Sequence, residues 1–157
     1  MNIIITLPRH LIDEICAGRK TIEVRKSFPK KIIIGKDGVF IIEKGTKNVI
    51  CFCMISWIVP VKKSIHTFNV FKKEIRIDKT WWLKYVGLAK KIYLWKLSDC
   101  YKFDQQINFE TALGIKRAPQ SFVYTPISLW QKIAKGKGTD KKEKVVIFYA
   151  PKGEYLK

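Results

Sequence analysis

Apolar and alternating runs of strand length, each closed by a proline, a glycine or a charged turn, set the outer bound on what this chain can fold into. Asn2 to Leu7 is a short apolar run suited to a buried strand and stopped by Pro8. Gly38 to Glu43 and Val49 to Val59 read as two more strands joined by a hairpin-type connection over residues 44–48. The second is expected to end at Pro60 and to place Cys51, Cys53, Ile55 and Trp57 on one face. Lys91 to Phe103 is the clearest strand, with Ile92, Leu94, Lys96 and Ser98 opposite Tyr93, Trp95, Leu97 and Asp99. Residues 121–124 are briefly extended, and residues 145–149 read as a further core strand. The helices between are short. Arg9 to Ala17 carries Leu11, Ile12, Ile15 and Cys16 on one face, with Pro8 at its first turn and Gly18 where a helix ends in a left-handed residue. Asp78 caps a second helix through Trp81, Trp82 and Tyr85 to Gly87, and residues 128–134 form a third. Ser64 to Phe68 fits a loop or a helical turn, residues 104–120 a surface loop, and residues 135–142 a flexible basic loop. With no repeat and no linker between cores, this pattern indicates one α+β domain on a mixed or mostly antiparallel sheet.

The 157 residues suffice for one buried core, and the 47% hydrophobic content argues against disorder. No apolar run approaches the roughly 20 residues that span a bilayer, and the first ten residues do not read as a signal peptide. The chain is expected to be soluble and cytoplasmic. The four cysteines, Cys16, Cys51, Cys53 and Cys100, include no Cys-x-x-Cys pair, and His10 and His66 lack partners at ligand spacing. Reduced, half-buried thiols are expected, with no metal and no cofactor.

The formal charge of +18 attracts polyanions at long range. A joint excess of lysine (26) and isoleucine (23) is also what a low-GC genome produces, so the five arginines carry more weight than the lysines. A guanidinium makes bidentate contacts that an ammonium does not. Two of the five, Arg19 and Arg25, lie in the stretch Gly18-Arg19-Lys20-Thr21-Ile22-Glu23-Val24-Arg25. On a strand, Thr21, Glu23 and Arg25 project to one side while Ile22 and Val24 project to the other. A polar trio backed by two β-branched residues has the composition of a cleft floor, or of a half-exposed strand with an internal Glu–Arg pair.

The spacing Gly18-x-Lys20-x-x-Glu23-x-Arg25, after a strand and a helix, resembles the signature of ASCH domains in the PUA-like superfamily. The order of elements up to the aromatic strand Tyr93-Leu94-Trp95-Lys96-Leu97 is similar too, as is Arg117-Ala118-Pro119-Gln120-Ser121-Phe122 to a Pro-Gln-Ser-aromatic stretch of some members. The match is good from about Ile3 to Phe103 and loose beyond, so residues 104–157 are expected to be an extension packed on the same core. The resemblance implies a mostly antiparallel β-barrel with short flanking helices, a cleft beside the signature, and RNA or a nucleotide as ligand. Lys20 and Arg25 would hold phosphate oxygens, and Glu23 would orient Arg25 or accept from a base edge. Gly18 would let the backbone approach the ligand, and Thr21, Arg117 and Gln120 would complete the cleft.

Aromatic residues make up 13% of the chain, and single-stranded RNA is commonly held by stacking on exposed rings. Trp57, Trp81, Trp82, Tyr93, Trp95 and Trp130 are the candidates, Trp81 and Trp82 foremost because helix neighbours point in different directions. A competing reading is a hydrolase. Some small ASCH-type proteins cleave the amide of N4-acylated cytidines with a signature lysine, a threonine nucleophile three residues later and a distant glutamate. Here Glu23 occupies the threonine position, and Thr21 is displaced by two residues. Ribonuclease chemistry with Lys20 and Glu23 in the same cleft is the remaining catalytic form.

Overall fold

The computed structural model describes residues 1–89 and 91–125. In chain order these form β1 (Asn2–Leu7), α1 (Arg9–Cys16), β2 (Ile22–Arg25), β3 (Gly38–Glu43), β4 (Asn48–Val61), α2 (Ile65–Ile75), α3 (Lys79–Val86), β5 (Ile92–Asn108), α4 (Phe109–Leu113) and β6 (Val123–Thr125). The expected helix at 128–134, the basic loop at 135–142 and the strand at 145–149 lie outside the described residues, as does Trp130.

The six strands form one sheet in the order β2-β5-β4-β3-β1-β6. β1 runs parallel to β3, with α1 and β2 lying between them in the chain, and every other ladder is antiparallel. The fold is α+β as expected, but the sheet is not closed into a barrel: among the described residues its two edges, β2 and β6, share no ladder. Side chains next to the two edges meet instead. Ser27 and Ser121 hydroxyls lie 3.2 Å apart, and Phe122 packs edge-on against Trp95 at 5.9 Å. The sheet curls until side chains meet, without backbone pairing.

Three apolar clusters follow from strand alternation and helix faces. Ile3, Ile5, Val39, Ile41, Cys51, Cys53, Trp95 and Leu97 pack under Ile12 and Ile15 of α1. Ile4, Phe40, Ile42 and Phe52 face the other way, onto Phe109 and Leu113 of α4. Ile22 and Val24 join Ile92 and Leu94 against Phe68 and Ile75 of α2 and Trp82 of α3. The close approach of β3 and β4 depends on Gly38, where a Cβ would stand 2.2 Å from Phe52 Cζ and 2.4 Å from the Cys53 carbonyl oxygen.

Four local expectations are corrected. β4 runs through Pro60 to Val61, because β3 pairs only as far as Met54 and the imino nitrogen interrupts no inner ladder. Trp57 does not share a face with Cys51, Cys53 and Ile55: a register shift between Ile55 and Trp57 reverses parity and turns its ring to the cluster of Ile22 and Trp82. Ser64 is the N-cap of an eleven-residue helix, its hydroxyl accepting from Thr67 N at 3.1 Å. Residues 104–108 extend β5, and Asn108 caps α4, so the expected loop begins only after Leu113. The cap at Asp78 forms as expected, its carboxylate accepting from Trp81 N at 2.7 Å.

Candidate functional site

The signature begins where α1 stops. Gly18, at φ +74°, reverses the chain, and the next two amides, of Arg19 and Lys20, both donate to the Glu14 carbonyl at 3.0 Å. This wrap turns Lys20 inward, where it is only 2% exposed. Its ammonium donates to the carbonyl oxygens of Ile22 at 2.8 Å and Ile75 at 2.7 Å, and lies 3.2 Å from Glu23 Oε2. Ile75 is the last residue of α2, so its carbonyl belongs to the negative end of that helix and needs an outside donor. Thr21 N adds a bond to the Glu74 carbonyl at 2.9 Å. Lys20 and Thr21 thereby fasten β2 to the end of α2. Burial pushes the lysine below its ordinary pKa, against the pull of the Glu23 carboxylate.

Glu23 and Arg25 follow two apart on β2 and share a face. Glu23 sits between two cations, with Oε1 3.2 Å from Arg25 Nε and Oε2 held by Lys20. Arg25 is 7% exposed and its guanidinium carbon lies 5.9 Å from the Trp95 ring centroid. Neither Nε nor Nη2 of Arg25 has a hydrogen-bond partner, the approach of Glu23 being close enough for charge attraction but not aligned for a bond.

These residues form one wall of a cleft of about 760 Å³, within the size range of ligand pockets. Thr6, from β1, lines it as well, and its buried hydroxyl is also without a partner. Across from β2 stand Trp81 and Tyr85 of α3, one turn apart and stacked at 4.4 Å with 15° between planes. Burial raises the Tyr85 phenol above its ordinary pKa, opposed by the charge of Arg25. Lys20, Arg25, Lys44 and Arg76 contribute positive charge to the lining against Glu23 and Asp78. Arg76, left-handed at φ 57°, also reaches Glu14 at 2.9 Å. Hydrogen bonding from Arg19, then from Arg76, holds the Glu14 carboxyl at about 2.

Of the residues singled out in the sequence, Lys20, Glu23, Arg25 and Gln120 line this cleft, whereas Gly18, Thr21 and Arg117 do not. Gly18 terminates a helix. Thr21 Oγ1 accepts from Lys96 Nζ at 2.8 Å. Lys20 reaches the cleft wall, but its ammonium is engaged by two carbonyls and a carboxylate, so it does not meet the expectation of a free phosphate contact. Trp82 and Trp95 are core residues, and Trp81 is 39% exposed. His10, Lys44, Arg76 and Tyr85 were not assigned to the cleft from the sequence. Helix periodicity placed Tyr85 one turn from Trp81, a usable signal, while nothing local to His10 or Lys44 ties them to residues 20–25.

No family model matches this sequence, and no curated protein aligns with it significantly. Solved structures do match in fold. ASCH from Zymomonas mobilis superposes with a TM-score of 0.74 at 20% identity, covering 85% of this chain and 94% of that one. A point mutant of the same protein gives the same values. The N-terminal domain of McrB from Staphylothermus marinus superposes with a TM-score of 0.54 at 11% identity over 87% of this chain and 94% of that one. Among the described residues no helix is long and apolar enough to cross a membrane. The open, mostly antiparallel sheet with α1 leading into the Gly18–Arg25 signature is the fold of an ASCH domain.

Proposed function

We propose that this protein binds RNA, as a PUA-like domain that takes a single-stranded nucleotide into the cleft between β2 and α3. The observation that carries this reading is Arg25: a buried guanidinium in the cleft wall whose Nε and Nη2 lack hydrogen-bond partners. Buried charged donors left unmatched are costly, and a phosphate oxygen or a base carbonyl supplies the missing acceptor with charge assistance. Lys20 and Glu23 act behind it, fixing the height and tilt of the guanidinium. Trp81, partly exposed and backed by Tyr85, offers a face on which a base stacks. Lys44 and Arg76 add positive potential, and the net charge of +18 draws a polyanion in from a distance.

The hydrolase reading finds less support. Thr21 is turned toward Lys96, and neither residue lines the cleft in which a substrate would sit, whereas a nucleophile has to be within reach of the bond it attacks. Incubation with N4-acetylcytidine and with single-stranded RNA, followed by product analysis of wild type and Glu23→Gln, separates the two readings. Binding without turnover is the expected result. Turnover that disappears in Glu23→Gln would move the assignment to an enzyme.

A further inference from the structure

The four cysteines are scattered through the sequence, yet the fold gathers them at one point. Cys16 is the last residue of α1, Cys51 and Cys53 lie on β4, and Cys100 lies on β5. All four belong to, or pack against, the cluster beneath α1, and none is in a disulfide. The Sγ atoms of Cys16, Cys51 and Cys100 all lie within 4.8 Å of one another. A bulge arranges this. Between the pairs Phe52↔Tyr101 and Met54↔Ser98 the strand β5 carries one more residue than β4. Asp99 takes up the extra length in a left-handed conformation, φ 46°, uncommon for a residue with a side chain. The bulge lets Leu97 and Cys100, three apart, face the same cluster.

We propose that Cys16, Cys51 and Cys100 form a thiolate site for a zinc-class divalent cation. Tetrahedral coordination with zinc–sulfur bonds of about 2.3 Å sets the sulfurs about 3.8 Å apart, so the observed triangle has to contract only modestly. Three sulfur donors select a thiophilic ion over a hard one. Cys16 and Cys100 are only partly buried, which leaves an entry path and room for water as the fourth ligand. Lys102, paired in register with Cys51, offsets the negative charge of the bound trithiolate. Binding releases the thiol protons to solvent and transfers no electrons.

The test uses the 157-residue chain, reduced and kept free of oxygen, titrated with Co2+ and then with Zn2+. The expected result is one equivalent of Co2+ with a thiolate-to-metal charge-transfer band and tetrahedral d–d bands, bleached by Zn2+. Cys16→Ser, at a partly exposed position, should weaken binding at least tenfold, whereas Cys53→Ser should leave it within twofold. Thermal unfolding of metal-free wild type and Cys16→Ser checks that both fold, and Zn2+ should raise the midpoint of the wild type alone. Absence of the charge-transfer band in folded, reduced wild type would overturn the site. So would an unchanged cobalt spectrum in the Cys16→Ser, Cys100→Ser double variant.

Discussion

The ammonium of Lys20 lies 2.7 Å from the carbonyl oxygen of Ile75, 55 residues further along the chain. One bond therefore joins the signature strand to the end of a helix whose own backbone cannot satisfy that carbonyl. The same ammonium holds Glu23, and Glu23 in turn faces Arg25. A lysine that resembles a ligand contact in the sequence is engaged as a strut of the fold, and Arg25, two residues past Glu23, brings unpartnered donors to the cleft wall.

Lys20→Met tests the strut. It leaves Glu23 with one cationic partner and strips a donor from two buried carbonyls. Breaking a buried pair by removing one partner costs roughly 3–5 kcal/mol. Urea denaturation should show a loss of about that size, with Lys20→Arg failing to restore it in so confined a place. A loss below about 1 kcal/mol, the scale of an exposed ion pair, would mean that the lysine is not structural.

Two adjacent tryptophans should behave oppositely. Trp82 is fully buried against Phe68, and Trp82→Ala should cost about 3–5 kcal/mol of stability. Trp81 is 39% exposed at the cleft. Trp81→Ala should leave the unfolding midpoint nearly unchanged and weaken single-stranded RNA binding by about 1–3 kcal/mol, the worth of one stacked base. Fluorescence anisotropy with a labelled oligoribonucleotide measures the second effect, and equal affinity of Trp81→Ala and wild type would remove the ring from the site.

Gly38→Ala should destabilise the sheet more than a methyl group ordinarily does. The added carbon meets the Cys53 carbonyl at 2.4 Å as well as the Phe52 ring at 2.2 Å, and the backbone has less freedom to move than a side chain. Overpacking of this kind costs about 1–3 kcal/mol. Differential scanning calorimetry reads the change directly.

Acid sensitivity should trace in part to Glu14. Its carboxyl is held at about 2 against an ordinary 4.5, first by the hydrogen bonds from Arg19 and then by Arg76. A depressed folded-state pKa contributes stability that is present above 4.5 and is lost as the pH falls toward 2. Glu14→Gln should therefore flatten that part of the pH–stability curve, measured by denaturation at a series of pH values. An identical slope in both proteins would contradict the assignment.

The sequence was legible where local physics decided the outcome. Asn2–Leu7 and Gly38–Glu43 were readable to the residue because apolar runs met a proline or a glycine at their ends. The helix Ile65–Ile75 was not, since Ile65 and Val70 stand exposed on its outer face and blur the apolar stripe that Phe68 and Ile75 form. A count by twos misplaces Trp57 because a bulge reverses the face of everything beyond it. In the cleft, Glu23, Arg25 and Gln120 were readable from the signature and from the Pro119-Gln120 stretch. Lys20 resembles a ligand contact in the sequence because the carbonyl that engages it, that of Ile75, ends a helix with a blurred apolar stripe. The cysteine cluster was hidden in the same way, its members being brought together by topology and by the Asp99 bulge.

The most direct test of the cleft is the affinity of Arg25→Ala and Arg25→Lys for a mixed-sequence single-stranded RNA, measured across a salt series alongside circular dichroism of each protein. Arg25→Ala should fold and should bind at least tenfold more weakly than wild type at low salt. Arg25→Lys should recover little, because an ammonium lacks the planar fork, and wild-type affinity should fall steadily as salt rises. Wild-type affinity in a folded Arg25→Ala protein would contradict the assignment of the cleft.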